Sequence, residues 1–247
     1  QCHWGAERKM IEILFLDLDD TILDFHKAER LAISKTFRSF GLAPTEAVLD
    51  RYHVINRQHW EMLERGEITR DQVLTGRFQL LFQEMGIPAD PKEVAKCYEH
   101  NLGIGHYFLP GAKEALDALR GRCRLFLASN GTASVQHSRL TSAGLYPYFE
   151  QVFVSQDLGA NKPSKAFFDA CAERIPGYAP QKALMVGDSL SSDILGGIRA
   201  GMRTCWVNPL GSPAPEAYTP TWQIGSLSEL PALLESINGE GQQHEEK

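Results

Sequence analysis

No apolar run in this 247-residue chain approaches the length needed to span a membrane. No block of lysine and arginine stands out, and the formal net charge is −6. Bulk charge therefore gives no reason to expect a nucleic-acid polymer as partner, while a local basic pocket for an anion stays open. Cysteine is scarce: Cys2, Cys97, Cys123, Cys171 and Cys205 are odd in number, widely spaced and form no C-x-x-C pair. That argues against a disulfide framework or a cysteine zinc site and fits reduced thiols in the cytoplasm. No cysteine sits in a catalytic motif. A secretory signal is missing, since the stretch before Met10 is short and polar. Met10 reads as a natural start, and residues 1–9 as a tag remnant or an extension. Internal repeats and low-complexity core segments are also absent. What is present is ordinary for a soluble globular protein: 43% apolar residues and mixed charge, in a chain long enough for a core and a smaller domain. The polar tail, residues 239–247, reads as disordered.

Residues 11–17 read as a buried strand, too short for a helix and closed by aspartate-rich turn chemistry. From about His26 to Gly103 the periodicity becomes helical, with breaks at Gly41 to Pro44, Arg65-Gly66, Gly86 to Pro88 and Gly103. Apolar positions such as Phe78, Leu81, Phe82 and Met85 recur at helical spacing, and about four helices are expected. A helical block of roughly 80 residues is too long for an ordinary crossover and is better read as an inserted domain. After Pro110-Gly111, helices and strands alternate. Strands are expected at 124–129, 151–154, 183–187 and 204–207. Helices are expected at 112–120, 133–143, 164–174 and 192–200. Such alternation implies an α/β fold with a parallel sheet covered on both faces. In sheets of that kind ligands bind beyond the carboxyl ends of the strands. Asp17, Ser129 and Asp188 each fall at such an end.

Four segments carry chemistry. The first is Asp17-Leu18-Asp19-Asp20-Thr21, directly after the first strand. If the extension continued, Asp17 and Asp19 would share a side. Gathered carboxylates repel and lose hydration, so the run is either an acidic turn or a site for a hard cation such as Mg²⁺. One carboxylate can then attack an electrophile while its neighbour moves a proton. Ser129-Asn130-Gly131 can hold a phosphate at a helix start, or simply cap that helix. Lys162-Pro163-Ser164 places a cation before another helix, either solvated or aimed at a phosphate or a carboxylate. In the run Gly187 to Asp193, a buried strand delivers Asp188, and Asp193 either caps the next helix or braces Lys162 and a metal-bound water. Gly196-Gly197 weakens that helix, which suggests close packing.

In this order and placement the four segments resemble the haloacid dehalogenase-like hydrolase superfamily over about residues 11–208. The resemblance implies a Rossmann-like core at residues 10–24 and 106–238, with an inserted helical cap at 25–105. It implies that Asp17 is a nucleophile forming an aspartyl-phosphate. Asp19 would protonate the leaving alcohol, activate water and lend its backbone carbonyl to the metal. Thr21, Ser129, Asn130 and Lys162 would serve the phosphate, with Lys162 also neutralising the nucleophile. Asp17, Asp19 and Asp188 would hold Mg²⁺, and Asp193 would support that site. Metal-independent dehalogenases of the superfamily do not keep an aspartate at the position of Asp19, which favours a Mg²⁺ phosphatase here.

A closer likeness joins Asp17-Leu18-Asp19-x-Thr21-x-Leu23-Asp24-Phe25 with Gly187-Asp188-Ser189-Leu190-x-Ser192-Asp193-Ile194 and Cys205-Trp206-x-Asn208-Pro209. These runs are similar to the YjjG-type pyrimidine 5′-nucleotidases. They imply a small-molecule phosphomonoester substrate, a pyrimidine (deoxy)nucleoside monophosphate, handled by a cytoplasmic monomer or homodimer. The alternatives are a sugar phosphatase, such as one for sialic acid 9-phosphate, and a non-catalytic relative that binds a phospho-ligand or a partner. Substrate choice would fall to the helical block. A nucleobase needs an aromatic surface, for which Phe25, His59 and Trp60 are candidates.

Overall fold

The computed structural model describes residues 10–245; the expectation for residues 1–9 lies outside them. The first elements are β1 (Ile13–Leu16), α1 (Phe25–Ser39), α2 (Glu46–Glu64), α3 (Arg70–Met85), α4 (Pro91–Ile104) and α5 (Ala112–Leu119). Next come β2 (Arg124–Ser129), α6 (Ala133–Ser142), β3 (Gln151–Val154), α7 (Ser155–Leu158) and α8 (Lys165–Ala172). The chain ends with β4 (Ala183–Gly187), α9 (Leu195–Arg199), β5 (Arg203–Val207), β6 (Trp222–Ile224) and α10 (Leu230–Glu245). No helix among the described residues is long and apolar enough to cross a membrane.

The chain divides into two compact units. Of the described residues, the first holds 10–23, 108–130 and 145–245 and contains the sheet, an α/β unit of six parallel strands in the order β3-β2-β1-β4-β5-β6. Its central strands are apolar at successive positions because both faces are covered. Ile13, Phe15, Phe126, Ala128, Phe153 and Met185 pack on one side with Phe167 and Phe168 of α8. Phe15 lies 5.7 Å from Phe126 and meets Phe168 edge-on at 6.1 Å. Leu14, Leu16, Leu127 and Val186 alternate with these and are equally buried. Each such side chain contributes about 1.5–3 kcal/mol of burial. From β1 the chain steps outward one way through β2 and β3, and the other way through β4, β5 and β6. That reversal leaves a crevice at the carboxyl end of β1.

The second unit holds residues 24–107 and 131–144. Each of its first four helices starts at a readable cap. The side chain of Asp24 accepts from the Lys27 N–H, and that of Thr45 from the Val48 N–H. Thr69 and Gln72 form a capping box, and Asp90 caps a helix that begins at Pro91. Buried faces of α1 to α4 meet in a cluster with Phe37, Tyr52, Ile55, Phe78, Leu81 and Tyr98 at its centre.

Several elements differ from the sequence expectation. Strand β1 is shorter than residues 11–17, because Leu18 already turns the chain. Helix α6, read from sequence as part of the core, groups with the helical unit: Ser138 Oγ donates to Gly103 O (2.7 Å) and Arg139 Nε to Gly105 O (3.1 Å). The helix expected at 192–200 is a π-helical turn, Leu190–Ile194, followed by the short α9. Elements α7 and β6 are too short to carry a pattern, whereas α10, with Leu230, Leu233, Leu234 and Ile237 at helical spacing, is an element beyond those expected from the sequence. Helix α10 runs through the polar tail to Glu245, where disorder was expected. Buried Leu230 and Leu234 anchor it, and Asn238 exchanges hydrogen bonds with the backbone of Ile11 (2.8 and 3.1 Å).

Candidate active site

Asp17 remains in the ladder, its N–H donating to Val186 O (3.0 Å), so the sheet itself aims the carboxylate past the end of β1. The chain then folds back. Ile22 and Leu23 both donate to Leu18 O (2.9 and 3.0 Å), and Asp20 sits at φ +56°. Aspartate tolerates this left-handed conformation better than most residues. The extension that would align Asp17 with Asp19 therefore does not continue. Asp19 is half-buried beside Asp17, near enough for its charge to raise the Asp17 pKa. Thr21 is fully buried, and its hydroxyl has no hydrogen-bond partner among the described residues. A buried hydroxyl in that state calls for an acceptor or donor that the chain does not supply.

Lys162 is the centre of the arrangement. It is 1% exposed, and its Nζ donates to Asp17 Oδ1 (3.0 Å), Asp193 Oδ1 (2.6 Å) and Ala128 O (2.7 Å). An ammonium has three donors, and all three are used. The loop that carries it is held by Asn130: Asn130 Nδ2 donates to Lys162 O (2.8 Å), and Lys162 N donates to Asn130 Oδ1 (2.8 Å). The sequence reading assigned Asn130 a backbone role toward phosphate; its side chain also clamps the lysine loop. Ser129, 2% exposed, ends β2 beside β1.

Asp188 follows β4 directly, and its backbone carbonyl accepts from Trp206 Nε1 (2.8 Å). Asp193 is fully buried, with Oδ1 on Lys162 and Oδ2 accepting from the Ser189 N–H (3.1 Å). Of the two readings of Asp193, this geometry is the brace on Lys162. Gly187 makes room for it, because a Cβ there would lie 2.1 Å from Asp193 Oδ2. Gly196 and Gly197 allow close packing too, against Phe168 (2.8 Å) and Thr204 (2.6 Å).

Carboxylate oxygens of Asp17, Asp188 and Asp193 lie within 4.8 Å of one another. Burial first, then the charge of Asp193, raises the Asp17 pKa to about 7 against the pull of Lys162. Burial and Asp17 likewise push Asp188 well above its ordinary range. Burial would lower the Lys162 pKa, but Asp17 and Asp193 turn the net direction upward. The single buried cation thus leaves the cluster short of positive charge. Its donors are hard oxygens, which suit Mg²⁺. Asp17 and Asp188 fit as ligands, whereas both oxygens of Asp193 already have protein partners. The carboxylate of Asp19 falls outside this group of side-chain atoms; the role expected for it at the metal uses its backbone carbonyl.

The three substrate-pocket candidates lie in the helical unit. His59 is buried, donates through Nδ1 to Ile55 O (2.8 Å), and lines a groove of about 480 Å³ with Met62, Gln72, Thr75 and Lys92. Phe25 and Trp60 lie outside that lining. Phe25 packs against the unit's apolar cluster with the Arg139 guanidinium 5.9 Å from its ring, and Trp60 carries Arg70 at 5.4 Å.

Sequence reasoning missed the clamp by the Asn130 side chain, the Trp206 bond to Asp188 and the need for Gly187. A glycine beside an aspartate after an apolar strand is a signal for the last; the other two depend on segments distant in the chain.

The family description "haloacid dehalogenase-like hydrolase" matches residues 11–201. Pyrimidine 5′-nucleotidase PynA of Streptococcus pneumoniae (strain ATCC BAA-255 / R6) is 36% identical over 220 residues, 89% of this chain and 93% of its own length. Pyrimidine 5′-nucleotidase YjjG of Escherichia coli (strain K12) is 33% identical over 221 residues, 90% of this chain and 96% of its own. The crystal structure of the HAD-hydrolase YfnB from Bacillus subtilis, bound to magnesium, superposes with a TM-score of 0.87 at 38% identity. It covers 92% of this chain and 99% of that one.

Proposed function

Because this chain belongs to the haloacid dehalogenase-like hydrolases, we propose that it hydrolyses phosphomonoesters through an aspartyl-phosphate, and that its substrates are pyrimidine nucleoside 5′-monophosphates. The observation that carries the chemistry is the buried Lys162 ammonium bonded to both Asp17 and Asp193 at the carboxyl end of β1. A buried lysine that spends two of its three donors on carboxylates, beside a third carboxylate at Asp188, is costly to bury and suits a chemical role. The substrate class rests on the two pyrimidine 5′-nucleotidases at 36% and 33% identity.

Asp17 Oδ attacks phosphorus, and the bond from phosphorus to the ester oxygen breaks. Asp19 gives its proton to the departing alkoxide. Asp19 then takes a proton from water as that water attacks the acyl phosphate, which releases phosphate and restores the Asp17 carboxylate. Lys162 lowers the repulsion between Asp17 and the approaching dianion and holds the carboxylate in line. Ser129, Thr21 and the N–H of Asn130 bind phosphoryl oxygens. Asp17, Asp188 and the Asp19 carbonyl would hold Mg²⁺, which when bound would supply the further positive charge that phosphoryl transfer needs.

The test is phosphate release with Mg²⁺ from dUMP, dTMP, UMP, AMP, sialic acid 9-phosphate and several hexose phosphates. A preference for pyrimidine monophosphates of about tenfold, ~1.4 kcal/mol in transition-state discrimination, is the expected result. A sugar phosphate ahead of the nucleotides would overturn the substrate and keep the chemistry. No EDTA-sensitive release from any of them would overturn both.

A further inference from the structure

The helical unit carries a second group of potential ligands, made of imidazoles and a carboxylate, that the proposed hydrolysis does not use. His26 and Glu29 stand three positions apart on α1 and so share one face. His53 comes from α2, and its Nδ1–H donates to Glu29 Oε1 (2.7 Å). The two imidazole rings meet edge-on with centroids 4.9 Å apart. One ligand atom from each of His26, Glu29 and His53 lies within 4.8 Å of the others. Glu29 is 1% exposed, and its other oxygen accepts from Asn56 Nδ2 (2.8 Å), which fixes the carboxylate's orientation. Asn56 is in turn held by Arg77 Nη1 (3.0 Å). His53 is half-buried and His26 exposed, so the group is reachable from solvent. Nearby cations have other partners: Arg30 pairs with Glu46 and Asp50, and Lys27 lies over the Tyr107 ring at 4.7 Å.

We infer that His26, Glu29 and His53 form a site for a divalent transition metal of the Zn²⁺ type, which fastens α1 to α2. Two imidazoles and one carboxylate suit Zn²⁺, Co²⁺ or Ni²⁺ better than Mg²⁺. The amide of Asn56 supplies the outer hydrogen bond that ligating carboxylates generally have. On binding, the metal takes the place of the hydrogen that His53 Nδ1 directs at Glu29 Oε1, and the neutral imidazole keeps its proton on Nε2.

The experiment is a titration of the full chain with Zn²⁺, and with Co²⁺ as a spectroscopic probe, in excess Mg²⁺ that keeps the Asp17 cluster supplied. Expected are about one Zn²⁺ per chain, a rise in Tm, and a Co²⁺ visible band from nitrogen ligation. Both His26→Ala and His53→Ala should weaken binding by at least about tenfold, while His100→Ala, an exposed residue elsewhere on α4, keeps it. His26 is exposed, so its variant folds and decides the matter even if His53→Ala does not. No uptake by the wild type, or uptake unchanged in His26→Ala, would overturn the site. Because the readout is metal binding, its failure leaves the hydrolase reading untouched, and the reverse also holds.

Discussion

Lys162 shows how much one side chain can decide. Among the described residues it is the one cation paired with both Asp17 and Asp193, and its side chain is 1% exposed. Removing one member of a buried ion pair strands the others, at a cost of about 3–5 kcal/mol. Lys162→Met should therefore lose about that much stability in urea denaturation, along with turnover. Asp17→Asn should behave otherwise. It deletes a carboxylate that burial and Asp193 disfavour, so its Tm should equal or exceed that of the wild type while phosphate release falls by at least about a thousandfold. A variant that keeps near wild-type rate would remove Asp17 as the nucleophile. At this scale the sequence is informative about residue type and place: Asp17, Ser129 and Asp188 were readable as strand-end residues from the apolar runs before them. That Lys162 would spend all three donors was not readable, because Ala128, Asp17 and Asp193 lie in three other segments.

The strand ends and the turns after them set the geometry. Strand β4 delivers Asp188 and then a π-helical turn swings Asp193 back over Gly187, with the Ser189 carbonyl accepting from both Asp193 and Ile194 (2.9 and 3.1 Å). π-turns of this kind are frequent at functional sites. Gly187→Ala would set a methyl group 2.1 Å from Asp193 Oδ2 and must displace the brace. The expected result is a loss of about 1–3 kcal/mol in stability and a fall in kcat larger than any change in KM. An unchanged kcat would mean that the Asp193 position is not critical. The strands at 124–129, 151–154 and 183–187 were legible because buried parallel strands are short continuous apolar runs with turn chemistry at the end. The three-residue β6 and the four-residue α7 are too short to leave a periodic signal, and the π-turn has a period that amphipathic patterns do not encode.

For the molecule as a whole, pH and cation binding should be linked. Asp17 rises from an ordinary 3.8 to about 7, burial first and Asp193 next. A carboxyl with a higher pKa folded than unfolded gives the native state extra protons between those two values. Its ionisation then costs stability progressively from about pH 4 to pH 7, with the full cost above that window. Asp188 acts in the same sense, raised by burial and by Asp17. Lys162 acts oppositely: its pKa is raised, so its contribution is present below the unfolded value and is lost only in strongly alkaline solution. Mg²⁺ binds the ionised carboxylates, so the Tm gain on adding it to EDTA-treated protein should be larger near pH ~8 than near pH ~5.5. Equal gains at the two pH values, read by differential scanning fluorimetry, would contradict an Asp17 and Asp188 cation site.

The amino-acid sequence alone determined the fold class, the helical block after the first strand and the residue types of the acidic site. These rest on local quantities: apolar periodicity, turn chemistry and carboxylates placed at strand ends. Only the tertiary structure decided that Asp193 braces Lys162, that Asn130 clamps the lysine loop by its side chain, that Trp206 holds Asp188, and that α6 packs with the helical unit. Each of these joins segments far apart in the chain. Periodicity reports which face of an element is buried, but not which distant residue it is buried against.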